Sequence, residues 1–375
     1  MIPVDSSSIS KPRVALVLQG GGALGAYHVG VYQAMEEAGL RPDWISGISI
    51  GAFTAAIIAG NYSQNRLKQL EAFWQDISWS DEFGSQLGGD ARKTFNQMSY
   101  VRTLMFGQPD FWVNRPMNHM FLPRVEPEKA SFCDTDAIGA TLQRRVDFDI
   151  INSGSVRLSL GATHIESGEL KFFDNTRQVI GPEHIQASGS LPPGFPAVRA
   201  SDPDYATDQY YWDGGCVGNT PVEAIFREKN KAHRPDILIL VDLFSASGPV
   251  PRNMDEVNWR MKSLQYADRT NNHLRRLLVK HNLRCHVSAP PTGRHVSSPM
   301  DIIHLVYHLG AEEISNSDVE FSRPSIAARR AKGYDDMSHI LSASPWKTPQ
   351  VERVHPDEIL LHQVSKKKIN CIRYF

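Results

Sequence analysis

A serine flanked by glycines, in Gly47-Ile48-Ser49-Ile50-Gly51, is the residue of this chain with the clearest chemical potential. It lies between a stretch at 43–46 that can form a short buried strand and a run of small and apolar residues at 52–59. This order predicts a strand, a sharp turn and a helix, the geometry that projects a serine hydroxyl as a nucleophile. Gly47 and Gly51 would remove side chains that collide in such a turn. The alternative interpretation is close packing of a helix on a strand through small residues.

A second glycine-rich segment, Gly20-Gly21-Gly22-Ala23-Leu24-Gly25, follows an aliphatic run at 13–19 that is typical of a central buried strand. In a dinucleotide-binding fold, such a loop holds a pyrophosphate at a helix N-terminus. In an acyl hydrolase, the same backbone amides can stabilise an oxyanion. The dinucleotide interpretation requires an acidic residue at the carboxyl end of the second strand, but Asp43 stands before that strand. The hydrolase interpretation is therefore favoured.

A serine hydroxyl needs a base that takes its proton before it can attack a carbonyl. Asp213-Gly214-Gly215 follows the aromatic residues 210–212, and such a segment can present a carboxylate in a cleft on a tight turn. A plain Asp-Gly turn is the alternative, because this dipeptide is common in turns.

Three segments of the chain, taken in their order, resemble the motifs of the patatin-like phospholipase family. They are the glycine loop at 20–25, the serine turn at 47–51 and Asp213-Gly214-Gly215. Ala187-Ser188-Gly189-Ser190-Leu191-Pro192 also resembles that family's Ala-Ser-x-x-x-Pro segment. The resemblance covers residues 13–228 and implies an α/β fold of three layers, with a central, mostly parallel sheet between helices. A helical C-terminal extension is expected after this core.

The resemblance implies a Ser-Asp dyad in which Ser49 attacks an ester carbonyl and Asp213 accepts its proton. Burial near the aromatic residues 210–212 should favour proton uptake by the aspartate. The oxyanion hole would be formed by the glycine loop, namely Gly20, Gly21, Gly22, Ala23 and Gly25. The turns that hold the dyad would be supported by Gly47, Gly51, Gly214 and Gly215.

Leu24 departs from the family pattern, which usually has Arg or Lys at this position. The loop amides can still bind an oxyanion, so the hydrolase interpretation stands. A preference for phosphorylated lipid is left open, together with neutral or short acyl esters. The expected substrate is a lipid or another acyl ester, without a metal or a cofactor.

The 375 residues are 41% hydrophobic, enough for a substantial core, and their formal net charge is -1. This balance gives no general attraction to nucleic acid. The four cysteines are far apart and form no Cys-x-x-Cys pair, which disfavours a zinc site and indicates reduced cytoplasmic thiols. No run of about 18 apolar residues is present, so we expect a cytoplasmic protein, with peripheral membrane contact left open. The oligomeric state is not predicted.

Three segments are predicted: a disordered leader at 1–12, the catalytic core at 13–228, and a last core strand with the C-terminal extension at 229–375. An insertion near 81–132 is rich in aromatic residues without a sustained period. It is expected either to line a lipophilic site as a lid or wall, or to anchor a long connection to the core. A helix is predicted at 255–281, with a buried stripe of Val257, Met261, Leu264, Leu274, Leu277 and Leu278.

Basic residues of the extension are expected to form a solvated face rather than a lipid contact; they are Arg269, Arg275, Arg276, Lys280 and Lys366-Lys367-Lys368. Two alternative functions remain. One is a conventional α/β-hydrolase with a Ser-His-Asp triad, for which His295, His304 and His339 are candidate bases. Only one predicted strand and one helix precede the strand that leads to Ser49, which argues against that fold. The other is a non-hydrolytic dinucleotide-binding module built on the glycine loop.

Overall fold

The computed structural model describes residues 11–80, 83–116, 123–287, 299–347, 351–353, 355, 357–365 and 368–374. Most of the predicted leader, Phe121 of the aromatic insertion, His295 and the pair Lys366-Lys367 lie outside these residues.

The strands are β1 (Val14–Leu18), β2 (Trp44–Gly47), β3 (Val113–Asn114), β4 (Cys133–Asp134), β5 (Arg157–His164), β6 (Leu170–Asp174), β7 (Val198–Ala200), β8 (Gln209–Asp213), β9 (Ile237–Asp242), β10 (Met300–Val306), β11 (Ile359–Ser365) and β12 (Lys368–Ile372). The helices are α1 (Ala26–Glu37), α2 (Ile50–Ala59), α3 (Ser63–Asp76), α4 (Gly89–Phe106), α5 (Ala137–Arg145), α6 (Phe148–Asn152), α7 (Pro182–Gly189), α8 (Glu223–Phe226), α9 (Met254–Val287) and α10 (Arg323–Ala343).

One sheet organises the described chain, with strand order β12-β11-β10-β9-β1-β2-β5-β8-β7 and β6 paired with β5. The strands from β11 to β5 in this order are parallel, and β6, β7, β8 and β12 are antiparallel to their neighbours. Leu18, the last residue of β1, pairs with Gly47 of β2. The glycine loop and the serine turn therefore leave the sheet side by side, at its carboxyl edge.

Helices cover both faces of the sheet. Leu16 and Leu18 of β1 pack in a core with α1, α2 and α10, whereas Ala15 and Val17 pack in a separate core with α8 and α9. This alternation follows from the period of two along a strand. The predicted α/β fold with a mostly parallel sheet between helices is confirmed.

The C-terminal segment contains the long helices α9 and α10, and it also adds β10, β11 and β12 to the sheet, which the sequence analysis did not predict. The stripe predicted for α9 is partly wrong. Leu274 and Leu278 are buried, but Val257, Met261 and Leu264 are exposed. The aromatic insertion contains the 18-residue helix α4, where no regular period had been recognised.

Helix α10 crosses α1 at very short range, because glycines face backbone at the crossing. A Cβ atom on Gly30 would overlap the carbonyl oxygen of Arg330, and one on Gly333 would overlap the carbonyl oxygen of Tyr27. This contact fixes α10 beside the helix that follows the glycine loop.

A buried ion cluster also joins α10 to the glycine loop. The Arg329 guanidinium is fully buried and pairs with Glu313 at 2.8 Å and with Glu320 at 3.4 Å. Its Nη1 donates to the carbonyl oxygens of Glu320 at 2.9 Å and Ala23 at 3.3 Å. Burial would raise the pKa of Glu313, but the Arg329 charge and the hydrogen bonds from Arg329, Ser317 and Tyr307 together lower it.

Gly30→Ala is expected to destabilise the protein by about 1–3 kcal/mol, because the α1–α10 crossing has no room for a methyl group. The higher helix propensity of alanine would offset only about 1 kcal/mol of this loss. Gly310→Ala is the matched control, since a Cβ atom there meets nothing closer than 3.8 Å. Urea denaturation of both variants tests this, and a Gly30→Ala variant as stable as wild type would contradict the described crossing.

Arg329→Met is expected to cost about 3–5 kcal/mol of folding free energy, because it leaves buried carboxylates without their cation. Arg330→Met removes the next residue, whose ion pair with Glu71 is partly exposed, and should cost at most about 1 kcal/mol. Chemical denaturation compares the two. Equal losses of unfolding free energy in the two variants would show that the buried Arg329 cluster matters no more than the partly exposed ion pair of Arg330.

Candidate active site

Ser49 occupies a strained turn between β2 and α2. Its φ of 55° and ψ of -131° are unusual for a residue with a side chain, and such strain costs about 1–3 kcal/mol. A Cβ atom on Gly47 would lie 2.5 Å from the carbonyl carbon of Gly51, and one on Gly51 would lie 2.9 Å from that of Leu18. Both glycines are therefore required sterically, as the sequence analysis predicted for a nucleophile turn.

Ser188 holds this turn in place. The Ser49 amide donates to the carbonyl oxygen of Ser188 at 3.0 Å and lies 3.2 Å from its Oγ. The Ser188 hydroxyl in turn donates to the carbonyl oxygen of Gly161 at 2.6 Å. Ser188 belongs to the Ala-Ser-x-x-x-Pro segment that the sequence analysis identified, but its contact with Ser49 was not predicted.

The Asp213 carboxyl group lies at the end of β8 and is almost fully buried, with 1% exposure. Its Oδ1 accepts a hydrogen bond from the Gly215 amide at 2.7 Å. Its Oδ2 accepts no hydrogen bond of normal geometry from the described residues. Burial raises the pKa of Asp213 to about 7, against the smaller lowering effects of the Gly215 amide and the Ser49 hydroxyl. Such a carboxylate can act as a base near neutral pH.

The glycine loop faces the serine across a very short distance. A Cβ atom on Gly20 would lie 2.8 Å from the Ser49 Cβ, so a larger residue could not occupy this position. A 3-10 helix, Gly22–Gly25, begins in this loop, and the first amides of a helix have no partner within it. The amides of Gly21 and Gly22 accordingly have no backbone acceptor among the described residues.

Asn219 holds the glycine loop in place through two hydrogen bonds with Gly20. The sequence analysis did not predict this role. The Asn219 Nδ2 donates to the carbonyl oxygen of Gly20 at 2.9 Å, and the Gly20 amide donates to the carbonyl oxygen of Asn219 at 3.2 Å. Its position four residues after Gly215, in the same segment as the predicted base, was the available signal.

Three loop residues lie behind the wall of the site. Ala23 and Gly25 are buried, with the Ala23 carbonyl facing Arg329 and Gly25 packed on Ile50. Leu24 is also fully buried in the main core. Of the predicted oxyanion-hole residues, the cavity is lined by Gly20, Gly21 and Gly22 only.

Ser49 and Asp213 line one cavity of about 340 Å³. Its remaining wall is largely apolar and includes Phe53, Phe111, Trp112, Leu191, Phe195, Phe244, Tyr266 and Phe321. The aromatic insertion contributes Phe111 and Trp112 to this wall, so part of it does line a lipophilic site. The described lining residues include no Lys or Arg, and the acidic Asp213 and Asp318 disfavour a pyrophosphate here.

No histidine is among the described residues that line this cavity. His304 is buried and its Nε2 lies 2.7 Å from Oδ2 of the equally buried Asp242, whereas His339 lines a different cavity.

His304 and His308 have the spacing of a helical metal motif, but β10 is a strand and the His304 ring is hydrogen-bonded to Asp242. In the part of the chain that the structure describes, no group of three or more potential ligands is arranged around a metal position.

Comparison with known proteins adds independent evidence. A family model described as patatin-like phospholipase matches residues 16–226, and one described as patatin phospholipase matches residues 294–353. Patatin-like phospholipase domain-containing protein 6 of Mus musculus is 49% identical over 61 residues, which are 16% of this chain and 4% of that protein. Lysophospholipase NTE1 of Saccharomyces cerevisiae is 33% identical over 119 residues, 28% of this chain and 7% of that protein. The chain thus spans a small part of these relatives.

Solved structures that match this chain include VipD from Legionella pneumophila, with 16% identity and a TM-score of 0.38 over 89% of this chain and 67% of that one. Human GIVD cytosolic phospholipase A2 has 13% identity and a TM-score of 0.33, over 62% of this chain and 43% of that one. None of the described helices is both long and apolar enough to cross a membrane.

The first family model matches more than half of the length of this chain. The chain therefore belongs to the patatin-like phospholipase family.

Proposed function

We propose that this protein is a serine acyl hydrolase that cleaves lipid or lipid-like esters with a Ser49–Asp213 dyad, without a metal or cofactor. One observation carries the proposal: a buried carboxyl group with a pKa of about 7 shares an apolar cavity with a serine on a strained turn. The phospholipase and lysophospholipase names of the relatives support the same reaction class.

In the first half of the reaction, Asp213 accepts the hydroxyl proton of Ser49 while Oγ attacks the ester carbonyl carbon. The carbonyl oxygen becomes an oxyanion, which the amides of Gly21 and Gly22 stabilise. The tetrahedral intermediate then expels the alcohol, which leaves with the proton from Asp213. An acyl group remains bound to Ser49.

In the second half, Asp213 takes a proton from water, and the resulting hydroxide attacks the acyl carbonyl carbon. The same loop amides stabilise the second oxyanion, and Ser49 Oγ leaves as it regains a proton from Asp213. The free fatty acid departs, and both residues return to their starting states. One aspartate therefore performs both proton transfers, as a base and then as an acid.

The apolar wall suits the acyl chain better than a polar head group. Lys262 lies near the cavity, but its Nζ is paired with the Asp318 carboxylate at 2.8 Å. Because the Leu24 side chain is buried in the core, it adds neither charge nor contact to the cavity. These features favour esters with a neutral or zwitterionic head group.

Ser49→Ala is expected to abolish hydrolysis of a chromogenic acyl ester, and Asp213→Asn should lower kcat by about 10²–10⁴-fold through loss of the base. His304→Gln and His339→Gln are matched controls and should retain near wild-type kcat. Steady-state kinetics on proteins with unchanged circular dichroism measure this. Activity that survives in Ser49→Ala, or disappears in either histidine variant, would overturn the dyad.

A further inference from the structure

Helix α4 has an inverted pattern of polarity. Its buried residues, Arg92, Asn96, Ser99 and Thr103, are all polar and recur at helical spacing. A helix on a protein surface normally turns apolar residues inward and polar residues outward. The inverted arrangement also explains why the sequence analysis did not recognise this helix.

Hydrogen bonds fix the polar face of α4 against the protein. Arg92 donates to the carbonyl oxygen of Gly84 at 2.7 Å, and Asn96 donates to that of Glu312 at 2.9 Å. Thr103 Oγ1 accepts from the Trp79 indole at 3.2 Å. These contacts define the orientation of the helix, so its apolar side faces outward.

The outer face of α4 carries large apolar side chains in a row. Met98, Val101 and Met105 recur at helical spacing and are 69%, 48% and 63% exposed. Leu104 and Phe106, at the end of the helix, are 46% and 65% exposed. Isolated exposed apolar residues are ordinary, but a continuous apolar helix face indicates an interaction surface.

Helix α9 presents a second exposed apolar row, formed by Met254, Val257, Met261 and Leu264. Val257, Met261 and Leu264 had been predicted to face the core. The row again has helical spacing, and it lies on the part of α9 that precedes Tyr266, a residue of the cavity wall.

Both helices meet the same segment of the cavity wall. Lys262 of α9 pairs with Asp318, and α4 packs against the short turn Ser317–Val319, which contains Asp318. Asp318 lines the Ser49 cavity, as does Gln108, two residues after the end of α4. Leu191 is 42% exposed and lines the cavity as well. The two helices that carry the apolar rows therefore border the proposed active site.

We propose that these two rows dock the enzyme on the surface of a zwitterionic phospholipid bilayer and bring the cavity to its substrate. The rim surface consists of the exposed apolar residues of both helices: Met98, Val101, Leu104, Met105 and Phe106 of α4 with Met254, Val257, Met261 and Leu264 of α9. The inference rests on the proposed function, because it takes the substrate to be a lipid. An apolar helix face lying in the headgroup region is a recognised mode of membrane binding.

A lipid surface fits this rim better than a second protein because the helices that carry the apolar rows border an apolar cavity that suits an acyl chain. A neutral surface fits better than an anionic one because two cations on this part of α9 already have partners. Lys262 is paired with Asp318, and Arg260 donates to the carbonyl oxygens of Ser245 and Ala246. Asp255 and Glu256 add negative charge at the start of α9.

The test variant is Met98→Gln/Val101→Gln/Met105→Gln, which makes the α4 row polar with residues that form helices well. The control is Tyr62→Gln/Val179→Gln, which removes two apolar side chains that are 63% and 74% exposed and do not line the cavity. Both are made in wild type and in Ser49→Ala, so that binding is measured without hydrolysis. Flotation with phosphatidylcholine vesicles gives binding, and light scattering gives the oligomeric state.

We expect the triple variant to bind vesicles at least about tenfold more weakly and to hydrolyse vesicle lipid correspondingly more slowly. Its hydrolysis of a soluble short-chain ester should be unchanged, and the control should match wild type in every assay. Wild type that does not bind vesicles, binding that survives in the triple variant, or a wild-type dimer that the triple variant disrupts would each overturn the proposal. A tenfold gain in binding from added anionic lipid would also overturn it.

The two proposals fail in distinguishable ways. If Ser49→Ala still hydrolyses ester, the proposed function is wrong, whatever the vesicle assay shows. If the soluble ester is cleaved through Ser49 but vesicles are not bound, the function stands and the docking surface is wrong.

Discussion

Close contact between Gly20, Ser49 and Asn219 is the constraint on which the proposed site depends. The glycine has no room for a side chain between the serine Cβ and the asparagine amide. The contact is possible because β1 and β2 are parallel neighbours whose carboxyl ends lie together, and because the segment after Asp213 returns to the same edge. The sheet topology thus brings Ser49, Asp213 and the amides of the glycine loop into one cavity, although they are far apart in the sequence.

Desolvation gives this arrangement its chemistry. An aspartate in water is too weak a base to accept a serine proton efficiently, whereas burial raises the pKa of Asp213 to about 7. The protein must stabilise the fold elsewhere to tolerate a buried carboxyl group and a strained serine. The α1–α10 crossing and the Arg329 cluster fix the position of the structure directly behind the glycine loop. This gives the C-terminal segment, part of which matches a second patatin phospholipase model, a structural connection to the site.

Local sequence rules predicted the elements that obey them. Apolar runs marked β1 and β9, and paired glycines marked the Ser49 turn, because only glycine fits beside it. Helix α4 was not predicted because its buried face is polar, so the apolar residues that recur at helical spacing face away from the protein. The roles of Arg329 and Asn219 were not predicted, because they depend on contacts with residues 306 and 199 positions away in the sequence. No local sequence pattern indicates such contacts.

If the buried Asp213 activates Ser49, covalent labelling of Ser49 must depend on pH. A fluorophosphonate probe should label Ser49 at a rate that rises with pH through about 7 and then levels off, because only the ionised carboxylate accepts the serine proton. Asp213→Asn should label slowly, with no inflection in this range. A wild-type rate that is the same at acidic and alkaline pH, or labelling at another residue, would show that Asp213 does not activate Ser49.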